Sequence, residues 1–157
     1  MIKRIFCLVL LTTLISSCKN KPAMPDTITH VFRLKPGADL KRSIQEYVVK
    51  NGLEAAWVVS CVGSLTDYNI RFANQEKTDS GRGHFEIVSL VGTLSKNGSH
   101  LHISISDSVG NTIGGHLSEG CLVYTTAELV IQSSNKYVFT REEDGSTLWK
   151  ELQVKEK

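Results

Sequence analysis

From residue 55 onward, the chain consists mainly of short segments in which apolar and polar residues alternate, separated by polar or glycine-containing turns. Successive side chains of a β-strand point to opposite faces, so this alternation predicts strands with one buried face. The polar residues 74–83 predict an exposed loop between two of them. The predicted strands cover residues 30–34, 55–62, 65–73, 84–94, 101–106, 112–117, 122–133 and 137–141, and residues 148–154 predict a last strand or a short helical end.

A single segment has helical periodicity. Leu40, Ile44 and Val48 recur on one helical stripe, Asp39 precedes them as a candidate N-cap, and Asn51-Gly52 provides a typical C-terminal stop. We therefore predict an α+β domain with a curved, mainly antiparallel sheet of seven to eight strands and one main flanking helix. Within strand 84–94 we expect Phe85 and Ile87 to face opposite to Val88 and Leu90.

The N-terminus indicates export. A short basic segment precedes an apolar run at residues 5–15, which has the length of a signal-peptide core and is too short to span a membrane. The following Ser16-Ser17-Cys18 resembles a bacterial lipobox, in which the cysteine is lipidated. An ordinary secretory signal cut nearby is the alternative. The favoured interpretation is a lipoprotein anchored to a membrane of the bacterial cell envelope, either periplasmic or surface-exposed.

These features divide the chain into a signal peptide (residues 1–17), a lipidated cysteine and tether (18–28) and one domain (29–157). Without the signal peptide, 157 minus 17, or 140, residues remain, which suffices for one domain with a core. The mature chain then has 16 basic and 16 acidic residues. Nucleic-acid affinity depends largely on neutralised phosphates, so zero net charge gives DNA binding no general support. Cys61 and Cys121 remain in the domain, either paired or as buried free thiols.

Three of the five histidines lie within seventeen residues, as His100, His102 and His116. His100 and His102 are two apart on one predicted strand and therefore share a face. A turn predicted at residues 107–111 folds the next strand back, which places His116 roughly opposite His102. Three convergent imidazoles can hold a metal ion with an open coordination position. The alternative is that these histidines are partly buried and satisfied by hydrogen bonds.

The order of the motifs resembles a known family. Residues 83–93, Gly-His-Phe-Glu-Ile-Val-Ser-Leu-Val-Gly-Thr, are similar to that family's Gly-Arg-Phe-Glu-Ile-Leu-Ser-Leu-Ser-Gly motif. The histidine pair 100–102, the segment Gly114-Gly115-His116-Leu117, Gly120 and the strand containing Thr126-Ala127-Glu128 follow. Together they resemble the plants and prokaryotes conserved domain, which occurs in plant AT-hook proteins and as stand-alone prokaryotic proteins. The resemblance covers residues 30–139.

This resemblance implies an α+β fold, a homotrimer, and a metal site near subunit interfaces at His100, His102 and His116. The resemblance also implies a description as DNA-binding, which comes from the plant proteins. In those proteins a basic Arg-Gly-Arg-Pro element contacts DNA. The present sequence contains no such element. His84 stands where the family motif has arginine. His84 is therefore a possible supplementary ligand, as is Glu86 from the same motif.

We expect a divalent metal, with zinc the most suitable, and a binding or structural role rather than catalysis. The expected partners are other copies of the chain, the membrane through the lipid and an unidentified small ligand; nucleic acid is disfavoured. A zinc-dependent hydrolase is the alternative, for which Glu86, Asp107 and Glu128 are candidate proton acceptors. Each of these carboxylates also has a simpler structural explanation, so the sequence identifies no catalytic residue.

Two further residue types, glycine and tryptophan, have structural interpretations. The pair at residues 114–115 lacks the lysine and helix start of a phosphate-binding loop, so these glycines predict a bulge or a close backbone approach that aims His116. Trp57 lies in an apolar predicted strand, so we expect its side chain to lie in the core. Trp149 lies near the C-terminus, where we expect its side chain to pack at a subunit contact.

Overall fold

The computed structural model describes residues 26–157. The predicted signal peptide, Cys18 and the predicted tether up to residue 25 lie outside the described residues. The elements, in chain order, are β1 (Thr27–Leu34), α1 (Leu40–Lys50), β2 (Ala56–Arg71), β3 (Asp79–Ser95), β4 (Gly98–Ser106), β5 (Thr112–Leu117), β6 (Leu122–Ser134), β7 (Tyr137–Glu142) and β8 (Glu151–Glu156). The first strand therefore begins two residues before the predicted start of the domain.

Six strands form an antiparallel sheet in the order β1-β6-β2-β3-β4-β5, and β7 and β8 form a separate hairpin. The end of β2 also pairs with β5, so the sheet curls back on itself. The predicted fold class is confirmed: eight strands in two sheets with a single helix in the described chain. Two boundaries were wrong. The predicted strands 55–62 and 65–73 are one continuous β2, and the predicted loop 74–83 contains the start of β3 from Asp79.

The helix packs on one face of the sheet and supplies part of the core. The Asp39 carboxylate accepts a hydrogen bond from the Arg42 backbone N–H at 3.0 Å, which caps the helix as predicted. The three apolar residues of the helical stripe are fully buried, which confirms the predicted periodicity. They pack against buried residues of the sheet, among them Leu65, Ile70, Leu94, Leu101, Ile105, Leu117, Leu129 and Ile131.

A bulge in β3 corrects one predicted face. The register between β3 and β4 shifts between Ile87 and Ser89, so one extra residue is inserted at this point. Ile87 and Leu90 are consequently both buried in the same core, whereas Val88 between them is exposed. The expectation that Ile87 and Leu90 face opposite sides was wrong, because strict alternation holds only where the ladder is uninterrupted.

The sheet face opposite the core is partly apolar. Cross-strand partners share a face, and the registers place Val31, Val62 and Val91 on this outward face. Their side chains are 72%, 61% and 53% exposed. The register also places Trp57 on this face, opposite Thr93, where it is half-buried. The prediction of a core position for Trp57 was therefore wrong.

Cys61 and Cys121 are free thiols. Burial raises the pKa of Cys61 to about 12 and that of Cys121 to about 11. Both thiols are therefore protonated at neutral pH, as expected for structural cysteines. In residues 26–157, no helix is both long enough and apolar enough to cross a membrane.

Candidate metal centre

The β4–β5 hairpin brings the three predicted histidines together. His102 is paired directly with His116, and His100 lies two residues earlier on β4, on the same face as His102. The turn between the strands is held by Asp107, whose carboxylate accepts hydrogen bonds from the backbone N–H groups of Val109 and Asn111. The predicted register and the predicted turn are both confirmed.

The two glycines before His116 allow β5 to approach its neighbours closely. A Cβ atom on Gly114 would lie 2.7 Å from the Ile103 carbonyl oxygen, and one on Gly115 would lie 2.6 Å from the Arg71 carbonyl oxygen. Real Cβ atoms do not approach backbone this closely, so any larger residue would push β5 away from β4 and β2. The predicted close backbone approach at these two glycines is confirmed.

The three imidazoles form a compact cluster. One ring nitrogen from each of His100, His102 and His116 lies within 4.8 Å of the others. The Nε2 atoms of His100 and His102 are 3.2 Å apart. Two nitrogens bound to one tetrahedral zinc at 2.0–2.1 Å would be about 3.4 Å apart. The His100–His102 pair therefore already has nearly the spacing of two metal ligands, although an N–H···N hydrogen bond also fits this distance.

The local environment favours neutral imidazoles, the form that binds metals. Burial lowers the pKa of His116 to about 4, and the positive charges of Lys41 and Arg71 act in the same direction. Burial also lowers the pKa of His100, assisted by the charge of Arg141. Nδ1 of His116 is buried and has no hydrogen-bond partner among the described residues. The three histidines are thus not a fully satisfied hydrogen-bond network.

The other predicted site residues lie elsewhere. His84 stacks against Tyr124, with ring centroids 4.3 Å apart, and is not a member of the three-histidine cluster. Glu86 is exposed and pairs with Ser64 and Ser106 across the sheet. The structure therefore does not bring the possible supplementary ligands His84 and Glu86 to the cluster.

The remaining candidate proton acceptors also have structural positions. The Asp107 carboxylate already accepts the hydrogen bonds of the turn, and it also accepts one of 2.9 Å from the Asn111 side-chain amide. Glu128 is exposed on β6, opposite Arg33 and Val62. None of the three carboxylates that the sequence suggested for catalysis belongs to the histidine cluster.

A cavity beside the cluster was not predicted from the sequence. It has a volume of about 430 Å³ and is lined by His100 and His116 together with residues from β2, the start of β4 and the C-terminal hairpin region. The additional lining residues are Arg71, Ser99, Arg141, Trp149, Lys150 and Glu151. No local motif links them, because they come from three distant parts of the chain. The exposed Trp149 packs near Arg71, whose guanidinium carbon is 5.1 Å from the ring centroid.

A family model for the Plants and Prokaryotes Conserved (PCC) domain matches residues 23–135. The chain belongs to this family. The match includes α1 and β1 to β6, and therefore all three histidines of the cluster. The β7–β8 hairpin lies beyond the matched residues.

Curated relatives of the PCC domain are much longer proteins. The bifunctional protein GlmU of a Synechococcus strain is 42% identical over 123 residues, which cover 78% of this chain and 20% of that protein. The AT-hook motif nuclear-localized protein 13 of Arabidopsis thaliana is 31% identical over 117 residues, which cover 67% of this chain and 26% of that protein. The chain thus spans about a fifth to a quarter of the length of these relatives.

Solved structures match the whole domain. A hypothetical protein from Salmonella has a TM-score of 0.82 and 40% identity, covering 83% of this chain and 95% of that one. A metal-containing protein from Archaeoglobus fulgidus has a TM-score of 0.66 and 28% identity, covering 79% of this chain and 94% of that one. These structures share the fold with the present PCC-domain protein over almost their full length.

Proposed function

We propose that this PCC-domain protein binds one divalent metal ion, zinc being the most suitable, through His100, His102 and His116, and that its role is binding rather than catalysis. The observation that carries the proposal is the convergence of three imidazole nitrogens within 4.8 Å. Three neutral imidazoles leave a fourth coordination position for water or a small ligand.

Two further observations support a metal over a network of hydrogen bonds. A hydrogen-bonded network would satisfy each buried nitrogen, whereas Nδ1 of His116 is buried without a partner among residues 26–157. The lowered pKa values of His100 and His116 keep these imidazoles unprotonated at neutral pH. The metal content stated for the Archaeoglobus fulgidus relative agrees with the proposal.

We propose further that the protein is a homotrimer anchored in the bacterial cell envelope by lipid on Cys18. The trimer is supported by the exposed valines of the outward sheet face, among them Val31, Val62 and Val91. Apolar side chains exposed on one sheet face are candidates for burial in a contact between copies of the chain. Val91 is paired directly with His102, so the metal site would adjoin the subunit contact.

The metal proposal is tested by elemental analysis of the purified untagged protein, together with its mass in solution. We expect about one zinc per chain in the wild type and loss of this zinc in the double variant His100→Ala/His102→Ala. His84→Ala is the matched control, because His84 lies outside the cluster, and it should retain the zinc. Unchanged metal stoichiometry in the double variant would contradict the proposal.

DNA binding is a second candidate function, and the observation that favours it is the similarity to the Arabidopsis AT-hook protein. The net charge of the mature chain is zero, and the sequence contains no Arg-Gly-Arg-Pro element. Retention on duplex DNA that falls steeply as salt increases would support this function. Retention that is absent at low salt would exclude it.

A further inference from the structure

We infer that the cavity beside the three histidines is a binding site for a small anion carrying a carboxylate or phosphate group, held by Arg71 and Arg141. The inference deepens the proposed function, since the anion would lie next to the metal. It identifies the chemical class of the ligand, which the histidines alone do not.

The walls of the cavity come from two separate parts of the structure. One wall is the outward face of the main sheet at the histidine cluster, and the other is the C-terminal hairpin region. Arg141 of β7 joins them, because its guanidinium donates a hydrogen bond of 2.9 Å to the hydroxyl of Thr93 on β3. The hairpin region thus forms one side of the cavity next to His100 and His116. It lies beyond the residues matched by the family model.

The charge of the lining favours an anion. Arg71, Arg141 and Lys150 contribute three positive charges, whereas Glu151 contributes the one carboxylate that lines the cavity. In the described part of the chain, no carboxylate lies within 4.0 Å of the guanidinium of Arg71 or Arg141. A metal ion on the histidines would add further positive charge at the same place.

The side-chain chemistry also fits such a ligand. A guanidinium group presents several N–H donors in a planar fork, which matches the oxygens of a carboxylate or phosphate. Arg71 donates from one nitrogen to the Gln75 carbonyl at 3.2 Å. Arg141 donates from one nitrogen to the Lys150 carbonyl at 3.5 Å and from a second to the Thr93 hydroxyl, so three of its five N–H groups remain. These contacts orient the groups and leave other donors available.

The size of the cavity limits the ligand to a small molecule. Ligand pockets commonly have volumes of about 300–1,000 Å³, and this one has about 430 Å³. Trp149 lines one side and offers an aromatic surface to an apolar part of the ligand. A small carboxylate or phosphate compound therefore fits better than a polymer.

The test uses inorganic phosphate as the probe and the fluorescence of Trp149 as the readout. Trp57→Phe removes the other tryptophan and provides the reference protein, with calorimetry on the unmodified chain as a second measurement. We expect saturable phosphate binding that weakens at least roughly tenfold in Arg71→Gln and in Arg141→Gln, because each loses charged hydrogen bonds. Arg82→Gln is the matched control: it removes the same charge from an exposed side chain on β3 outside this cavity and should bind phosphate as the reference does.

Metal content and melting temperature are measured on the same samples, so that the two proposals fail separately. Zinc retained in Arg71→Gln with phosphate binding lost supports the anion site. Phosphate binding that is absent from the metal-loaded reference protein, or unchanged in both arginine variants, overturns the anion site and leaves the metal site intact. If the protein takes up no metal but still binds phosphate in a way that depends on both arginines, the result supports the anion site and contradicts the metal proposal.

Discussion

Replacing Gly115 by alanine should weaken both the fold and the metal site. The added Cβ would lie 2.6 Å from the Arg71 carbonyl oxygen and 3.0 Å from the Ile70 side chain. To relieve the first contact to 3.0 Å, β5 must move away from β2 by at least about 0.4 Å. Gly115 does not have a left-handed backbone conformation, so the effect is a steric one.

The size of the effect follows from this displacement. Overpacking of a well-packed site costs about 1–3 kcal/mol of unfolding free energy. His116 is the next residue, and metal–ligand distances tolerate deviations of only about 0.2 Å. A shift of 0.4 Å or more should therefore lower zinc affinity, and we expect a loss of at least roughly tenfold.

Urea denaturation of the metal-free protein measures the first effect, and zinc titration against a chelator measures the second. Gly83→Ala is the control, because its Cβ would meet only the end of the Phe85 ring at 3.1 Å, which can move. The control should remain within about 1 kcal/mol of the wild type. The reasoning is refuted if Gly115→Ala has the urea midpoint and zinc affinity of the wild type. A loss of stability with normal zinc affinity would show that the shift does not reach His116.

Three other predictions follow from the structure. Burial lowers the pKa of His116 to about 4 from an ordinary value of 6.5, so the folded state binds fewer protons than the unfolded chain between these pH values. The unfolding free energy of the metal-free protein should therefore fall as the pH is lowered from 6.5 to 4. Urea titrations should show a flatter pH dependence for His116→Gln. Leu101→Ala, at a fully buried position between the two β4 histidines, should lower the unfolding free energy by about 2–5 kcal/mol. A smaller loss would show that neighbouring side chains collapse into the space left by the leucine. Cys18→Ala should abolish incorporation of labelled fatty acid in a bacterial host, and continued labelling would place the lipid elsewhere.

The histidine cluster could be predicted because it depends on local rules alone. Alternation along β4 places His100 and His102 on one face, and the turn around Asp107 sets the pairing of His102 with His116. Each rule acts over a few residues and uses side chains whose preferences are strong. The same reasoning explains why the helix from Leu40 to Lys50 was predicted correctly.

The features that were missed depend on contacts between distant segments. The bulge after Ile87 interrupts the alternation without a sequence signal, and it moves Leu90 into the core. The polar residues from Asp79 form a strand because they pair with β2, although their composition is that of a loop. The cavity lining was missed because Arg71 and Arg141 are seventy positions apart and meet only when the hairpin folds over the sheet.

X-ray absorption spectroscopy at the zinc edge of the metal-loaded protein tests the central claim most directly, because it identifies the atoms bound to the ion. We expect three imidazole nitrogens at about 2.0–2.1 Å and one further light atom in the open position. Two or more sulfur ligands at about 2.3 Å would assign the metal to cysteines, and a shell of oxygens alone would indicate an adventitious surface ion. Either result would contradict a metal site built from His100, His102 and His116.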